Sequence, residues 1–325
     1  MSPRERGVEI CLGKLCNNRC VFCMSSADRD AHRPWLPPEQ VKGELDHFHR
    51  EGSRSVGFLG GEPTVYPHLL ECVAYARGLG YTRIAVCSNG ARFSDMAYCR
   101  ALVEAGATRV TASIHSHKPK VEDGLITKIP GNLAKKVAGL RNLLALAAEG
   151  ELKDGVSLNP VLCRKTLSGM AGYLRYFSAI GIRDIRFNYI WPSGSVIDDP
   201  EWIPSYREAM PHIARILILN ERRLGLRLSF GGVPRCAMRL AGLSPRLADH
   251  LAAKYLDESA FDPDNDVAAP PEEGALPRRF VWQEHKRDNL KLREESCRPC
   301  RHYESCDGVW KTYASLHGLG ELEPV

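Results

Sequence analysis

Apolar and polar positions along the chain follow two alternating periods. The segments "GVEICLG" (7–13), "RSVGFLGG" (54–61), "RIAVCSNG" (83–90), "RVTASIHS" (109–116), "GVSLNPVLC" (155–163) and "IRDIRFNYI" (182–190) are short, rich in β-branched residues and bounded by turn residues. They read as strands. Between and after them run 37–52, 67–80, 95–106, 132–150, 167–181 and 205–225, whose apolar residues recur at the spacing of one helix face. The first of these begins on Pro37 and Pro38 and ends on Gly52; Pro suits a helix start and Gly its end. Six strand–helix units in strict alternation predict a parallel sheet, wound open or closed toward a barrel by right-handed crossovers.

A parallel strand buried on both faces reads as a continuous apolar run. Several later strands do not. Thr111, Ser113 and His115, then Ser157 and Asn159, then Arg186 and Asn188, occupy alternate positions. One face of the sheet is therefore expected to line a cavity. Past residue 226 the pattern breaks. "RLSFGGVPRC" reads as a strand and a turn, and 257–279 is acidic and Pro-rich, as expected of a loop. The division predicted is a domain over 1–226 and a second over 227–325.

Composition narrows the class. The 325 residues are 44% hydrophobic and 26% charged, with a net charge of +5. That is an ordinary globular balance, long enough to bury a core unaided. It lacks the basic footprint of a dedicated nucleic-acid binder. No apolar run approaches the ~18 residues of a membrane helix, and the N-terminus has no apolar signal core. A cytoplasmic protein with no membrane partner is expected. Twelve cysteines in a reducing compartment then point to metal rather than disulfides. Cys11, Cys72, Cys87, Cys99 and Cys163 are scattered and read as small buried hydrophobes, although Cys163, at a strand end, could face the cavity.

The clustered cysteines carry the chemistry. "KLCNNRCVFCMSS" places Cys16, Cys20 and Cys23 in one loop after the first strand. Thiolates select zinc, copper(I) or iron–sulfur clusters. A structural zinc site uses four ligands, and three local thiols leave one position to be filled from elsewhere. Spacing alone does not choose the metal. Cys16-x3-Cys20-x2-Cys23, with Phe22 before the last cysteine, resembles the radical S-adenosylmethionine (SAM) superfamily. "GGEP" (60–63), "SNG" (88–90), "SIHS" (113–116), "NPV" and "RFN" follow in order at the ends of successive strands. The resemblance covers roughly residues 7 to 225.

The resemblance implies a partial (β/α)6 TIM-like barrel. It implies a [4Fe–4S] cluster on Cys16, Cys20 and Cys23 whose fourth iron is chelated by SAM. Ligands in parallel α/β folds sit at the carboxyl ends of strands. There Gly60 and Gly61 would let backbone approach SAM, and Glu62 would accept from its ammonium group. Ser88, Asn89, Ser113 and Asn159 suit its carboxylate or ribose. One electron from a donor such as flavodoxin or ferredoxin would cleave SAM to a 5′-deoxyadenosyl radical, which takes a hydrogen atom from the substrate.

The C-terminal "CRPCRHYESC" gives Cys297, Cys300 and Cys306, and "GGVPRC" gives Cys236. These spacings resemble the auxiliary-cluster extensions called SPASM and Twitch. Trp310 stands where the full SPASM pattern has a further cysteine, and residues 216–222 hold none. One auxiliary [4Fe–4S] cluster is therefore expected on these four cysteines; a structural zinc fits their number and type equally. His115, His117, Asp123, Arg186 and Tyr189 are candidates for holding substrate or moving a proton, with His115, Arg186 and Tyr189 taken as the candidate catalytic set. The expected substrate is a small natural product or a ribosomally made peptide, with oxidation or bond formation as the outcome. The first strand begins by residue 7, leaving no room for a leader-binding domain, which favours a small molecule or a peptide presented by a separate partner. An RNA-modifying radical enzyme and a non-catalytic zinc or iron–sulfur protein are the alternatives.

Overall fold

The computed structural model describes residues 7–23, 35–192, 194–197, 199–256, 265–269 and 278–325. All six predicted strand–helix units are present. They are β1 (Val8–Cys11), α1 (Pro38–Arg50), β2 (Ser55–Leu59), α2 (Leu69–Leu79), β3 (Arg83–Ser88), α3 (Met96–Ala105), β4 (Arg109–Ala112) and α4 (Asn132–Ala148). Then follow β5 (Val156–Leu158), β6 (Val161–Leu162), α5 (Arg164–Leu167), α6 (Met170–Ile180), β7 (Asp184–Tyr189) and α7 (Tyr206–Leu219). The strand expected over 155–163 is two strands. Pro160 has no N–H to give a ladder, and β5 and β6 pair in parallel with the first and last residues of β7.

β1, β2, β3, β4, β5 and β7 lie side by side in that order, all parallel. The chain past 226 extends the same sheet. β8 (Arg227–Gly231) pairs with β7, β9 (Asp266–Ala269) pairs with β1, and β10 (Arg278–Val281) runs antiparallel to β9. The acidic segment expected as a loop over 257–279 is thus partly strand: β9 and the start of β10 fall inside it, and, apart from Asn265, the rest lies outside the described residues. Val267 and Ala268 are buried, and this apolar pair within an acidic stretch is what the edge of β1 recruits.

The two faces of the sheet differ as the alternation predicts. Ile10, Phe58, Val86, Ile185 and Phe230 are fully buried on the helix side, each worth ~1.5–3 kcal/mol of burial. Glu9, Cys11, Gly57, Cys87, Arg186 and Asn188 fall between them on the inner face and are half-buried. Thr111 and Ser157 share a hydrogen bond of 3.0 Å across β4 and β5, and Asn188 Nδ2 donates to Asn159 Oδ1 at 2.6 Å. The interior is polar from strand to strand.

Tyr189 is corrected by the same alternation. It lies one residue from Asn188, so it points to the helix side. Only 2% of it is exposed, its hydroxyl donates to the Pro204 carbonyl, and its ring packs on Tyr206 and Tyr313. It belongs to an aromatic joint between the barrel and the C-terminal helix Lys311–His317, where Tyr206 N–H donates to Tyr313 Oη at 2.7 Å. Among the described residues no helix is long and apolar enough to cross a membrane.

Candidate functional site

The cysteine loop leaves β1 at the carboxyl end of the sheet and is held from three sides. Arg19 and Val21 donate their N–H groups to the carbonyls of Thr127 and Ile126 at 3.0 and 3.2 Å. Ser195, in the β7–α7 loop, donates to the Val21 carbonyl. Behind it, Glu62 N–H donates to Leu15 O at 2.8 Å. The glycine pair makes that approach possible. Gly61 has φ +58°, and a Cβ there would lie 2.2 Å from Leu15 O; only glycine fits both conditions. The pair thus seats the cysteine loop itself.

Glu62 is buried, and its carboxylate is held from within the protein. Oε1 accepts from Thr64 N–H (3.0 Å), Thr64 Oγ1 (2.6 Å) and Ser88 Oγ (2.7 Å); Oε2 accepts from Asn89 N–H (2.6 Å). Three of these bonds crowd Oε1, while Oε2 takes one and keeps an acceptor position. Glu62 thus ties the ends of β2 and β3 together, and its Oε2 retains a position for the ammonium group expected. Asn89, fixed by this clasp, donates from Nδ2 to Asn17 Oδ1 at 2.6 Å. The "SNG" turn and the cysteine loop are one unit.

The thiols are suited to a cluster. Burial pushes the Cys20 thiol up to about 12; the Lys136 ammonium pulls against this, while Cys16 and Cys23 add to it. Burial also raises Cys16, against an N–H···S bond of 3.3 Å from Asn18. Cys16 and Cys20 therefore give up their protons only to a bound cation. Asn18 is 3% exposed, and its Nδ2 is buried without a partner among the described residues. A buried orphan donor is costly; beside Cys16 it fits the sulfide or SAM oxygen that the loop would hold. No three His, Cys, Asp or Glu side chains among the described residues converge on a single-ion position, so the fit rests on donor chemistry and mutual field.

Phe22 packs edge-on against the His115 ring at 4.9 Å. His115 is 6% exposed, and its Nδ1 accepts from Val161 N–H at 3.1 Å. Its other nitrogen then carries the proton. Burial lowers its pKa from 6.5 to about 4, so it is neutral and holds β6 to the end of β4. Between pH 6.5 and 4 the unfolded chain takes up a proton that the folded one refuses. His115 thus contributes stability that is full above pH 6.5 and is lost as pH falls toward 4, about 3 kcal/mol in all. Urea unfolding at pH 7.5 and 5 should show this slope in the wild type and a flatter one in His115→Asn. Equal slopes refute the assignment.

Sequence reasoning missed a buried ion pair behind the loop. Lys136 and Glu122 have fully buried side chains 2.7 Å apart. Lys136 Nζ also donates to the Ser113 carbonyl (2.9 Å), and Glu122 Oε2 accepts the N–H groups of His115 (2.9 Å) and Ser116 (2.8 Å). One turn earlier on α4, Asn132 Nδ2 donates to Asn18 Oδ1 at 3.1 Å. The remaining candidates separate. Ser113 and Asn159 sit at strand ends facing the interior, and Arg186 lies on the inner face, its charge reaching Cys87. Asp123 accepts from Leu133 N–H in the first turn of α4, and His117 packs on the Tyr176 ring at 5.9 Å and against Gly172. Cys72, Cys99 and Cys163 are buried, as read from the sequence. Cys11 and Cys87 instead face the barrel interior, where burial first and the Glu9 carboxylate second push each thiol to about 12.

The C-terminal thiols meet in space. Cys236, Cys297, Cys300 and Cys306 line one cavity with Pro234, Leu292 and Tyr303. Burial raises the Cys236 thiol to about 12, and Cys306, Cys300 and Cys297 add to the rise. Cys236, distant in sequence, thus joins the set. The lining is largely apolar and Gly308 N–H donates to Cys306 Sγ at 3.3 Å, conditions that suit a thiolate-held cluster.

Residues 10–162 match the model of the Radical SAM superfamily. A probable GTP 3′,8-cyclase of Sulfurisphaera tokodaii is 27% identical over 212 residues, 65% of this chain and 63% of that protein. An AdoMet-dependent heme synthase of Oleidesulfovibrio alaskensis is 26% identical over 156 residues, 48% of this chain and 39% of that protein. The chain spans 63%, 36% and 56% of the first three curated relatives it matches. Two solved structures share the fold. Streptococcus suis SuiB bound to S-adenosylmethionine superposes with a TM-score of 0.62 at 13% identity, over 98% of this chain and 76% of that one. Native anSMEcpe with bound AdoMet gives 0.58 at 13%, over 94% and 89%.

Proposed function

We infer that this member of the radical SAM superfamily cleaves SAM reductively and oxidises, or forms a bond within, a substrate enclosed by the polar barrel. The observation that carries this is the three-thiol loop, clamped and furnished with a buried orphan donor at Asn18, at the carboxyl end of the sheet. Cys16, Cys20 and Cys23 would hold the SAM-binding cluster, and Cys236, Cys297, Cys300 and Cys306 a second, fully ligated one. On one-electron reduction, SAM bound there supplies a 5′-deoxyadenosyl radical able to remove a hydrogen atom from an unactivated carbon. The chain's own part is to orient and enclose. Glu62, Ser88 and Asn89 fix the loop that faces SAM. Thr111, Ser157, Asn159, Arg186 and Asn188 offer the substrate a hydrogen-bonding wall.

A small molecule or a peptide is the substrate class favoured; SuiB, which shares the fold, has been solved with its precursor peptide. A nucleotide is the second reading. It is favoured by the likeness to GTP 3′,8-cyclases and by inner-face Arg186, whose charge would suit an anion. The test is anaerobic reconstitution with iron and sulfide. With dithionite and SAM, 5′-deoxyadenosine should form, slowly without substrate and faster with the right one. No 5′-deoxyadenosine from protein loaded with iron would sink the reading. GTP that accelerates the reaction and disappears with it would select the nucleotide.

A further inference from the structure

Two lysines are buried beside the C-terminal thiol set. Lys286 and Lys291 are 1% and 2% exposed, with their ammonium groups 3.6 and 3.8 Å from Oδ2 of Asp307. Asp307 follows Cys306 directly, and its Oδ2 accepts no hydrogen bond among the described residues. Lys291 also lies 4.9 Å from the Trp310 ring centroid. Trp310 stacks on Trp191 at 4.8 Å with the planes 12° apart, and Trp191 stands two residues past the end of β7. Both cations thus sit against the residue that follows Cys306, and Lys291 also reaches the tryptophan pair at the rim of the barrel.

Burying ammonium groups is expensive, and a cluster that merely staples the chain has no need of them. We propose that Lys286 and Lys291 raise the reduction potential of the [4Fe–4S] group held by Cys236, Cys297, Cys300 and Cys306, making it an electron acceptor for the substrate radical. This rests on the two-cluster reading above and deepens it. A nearby positive charge stabilises the form with one more electron, and little salt reaches so buried a charge to screen it. In the step served, the carbon radical gives one electron to this acceptor. It then either loses one proton to solvent, forming a double bond, or bonds a neighbouring nucleophile that loses the proton. Asp307 works in the opposite direction and holds the two ammonium groups in place.

The experiment uses full-length protein with Cys16, Cys20 and Cys23 changed to Ala, so that only the second set can bind a cluster. Its midpoint potential is followed by redox titration with EPR detection, after iron analysis. Lys286→Met and Lys291→Met should each lower the potential by roughly a tenfold change in the electron-transfer equilibrium, about 59 mV for one electron. Asp307→Asn should raise it. Lys291→Arg keeps the charge and should leave the potential unchanged, which separates charge from packing. With about four irons per chain present, shifts of one sign throughout, or none, overturn the proposal. Protein that binds no iron overturns the two-cluster reading itself, and the proposal with it.

Discussion

Replacing Cys16, Cys20 and Cys23 together by alanine abolishes 5′-deoxyadenosine formation, a loss of at least about 10³-fold, while the protein keeps a cluster. Iron should fall from about eight to about four per chain. The three thiols are half-buried, and burial pushes Cys20 to about 12, so a bound cation is what keeps the Cys20 thiolate ionised. Remove them and the loop has no metal, no site for SAM and no route for the electron. The loop itself stays anchored through backbone bonds from Arg19, Val21 and Glu62, which the substitutions do not touch. Circular dichroism and the iron content of the second set should therefore be preserved. The reciprocal variant, Cys297→Ala with Cys300→Ala, should lose about four irons and still cleave SAM. SAM cleavage surviving the triple substitution would end the functional reading.

The cysteine loop was legible in the sequence because its three ligands lie within eight residues, and local spacing survives folding. The inner-face assignment of Thr111, Ser157, Arg186 and Asn188 followed from a period of two, and the structure has it. That same period places Tyr189 on the opposite face from Asn188, and puts Cys11 with Glu9 on the inner one; strict application would have moved both Tyr189 and Cys11. Asn17 and Asn18 were in view within "CNNRC" but look like loop polarity until Asn89 and Asn132 arrive from elsewhere. Nothing local marks Glu62 as a clasp. Its partners sit two residues away and again at Ser88 and Asn89, and only the register of β2 beside β3 joins them. The strand within 257–279 was hidden by its acidic, Pro-rich flanks, since edge pairing with β1 decides it. Lys136 was the least visible. A lysine on a helix is read as solvated, and only the turn over 113–122 folding back on α4 shows otherwise.

Lys136→Met should therefore cost about 3–5 kcal/mol, the usual penalty for removing one partner of a buried pair. That is a large share of a domain's stability. The loss has two parts: Glu122 is left charged without its partner, and the Ser113 carbonyl loses its donor. The pH dependence identifies the first part. Burial by itself would raise the Glu122 pKa. Lys136, His115 and the His115 N–H outweigh it and hold the carboxyl below its ordinary 4.5. In the wild type, then, this group contributes stability present above pH 4.5 and lost as pH falls further. Without the ammonium, burial prevails and the folded pKa rises above the unfolded one. The contribution of Glu122 then diminishes with rising pH, so the gap between wild type and Lys136→Met should be widest near pH 7.5 and narrow toward pH 5. Lys136→Met with Glu122→Gln removes the charge but keeps an acceptor for the N–H groups of His115 and Ser116. It should recover part of the loss and show no narrowing. Because the same turn carries His115 against Phe22 of the cysteine loop, iron loading of the first cluster should fall in Lys136→Met and return in the double variant. A single variant within about 1 kcal/mol of wild type at pH 7.5, with undiminished iron, would show that the pair neither stabilises the fold nor supports the loop.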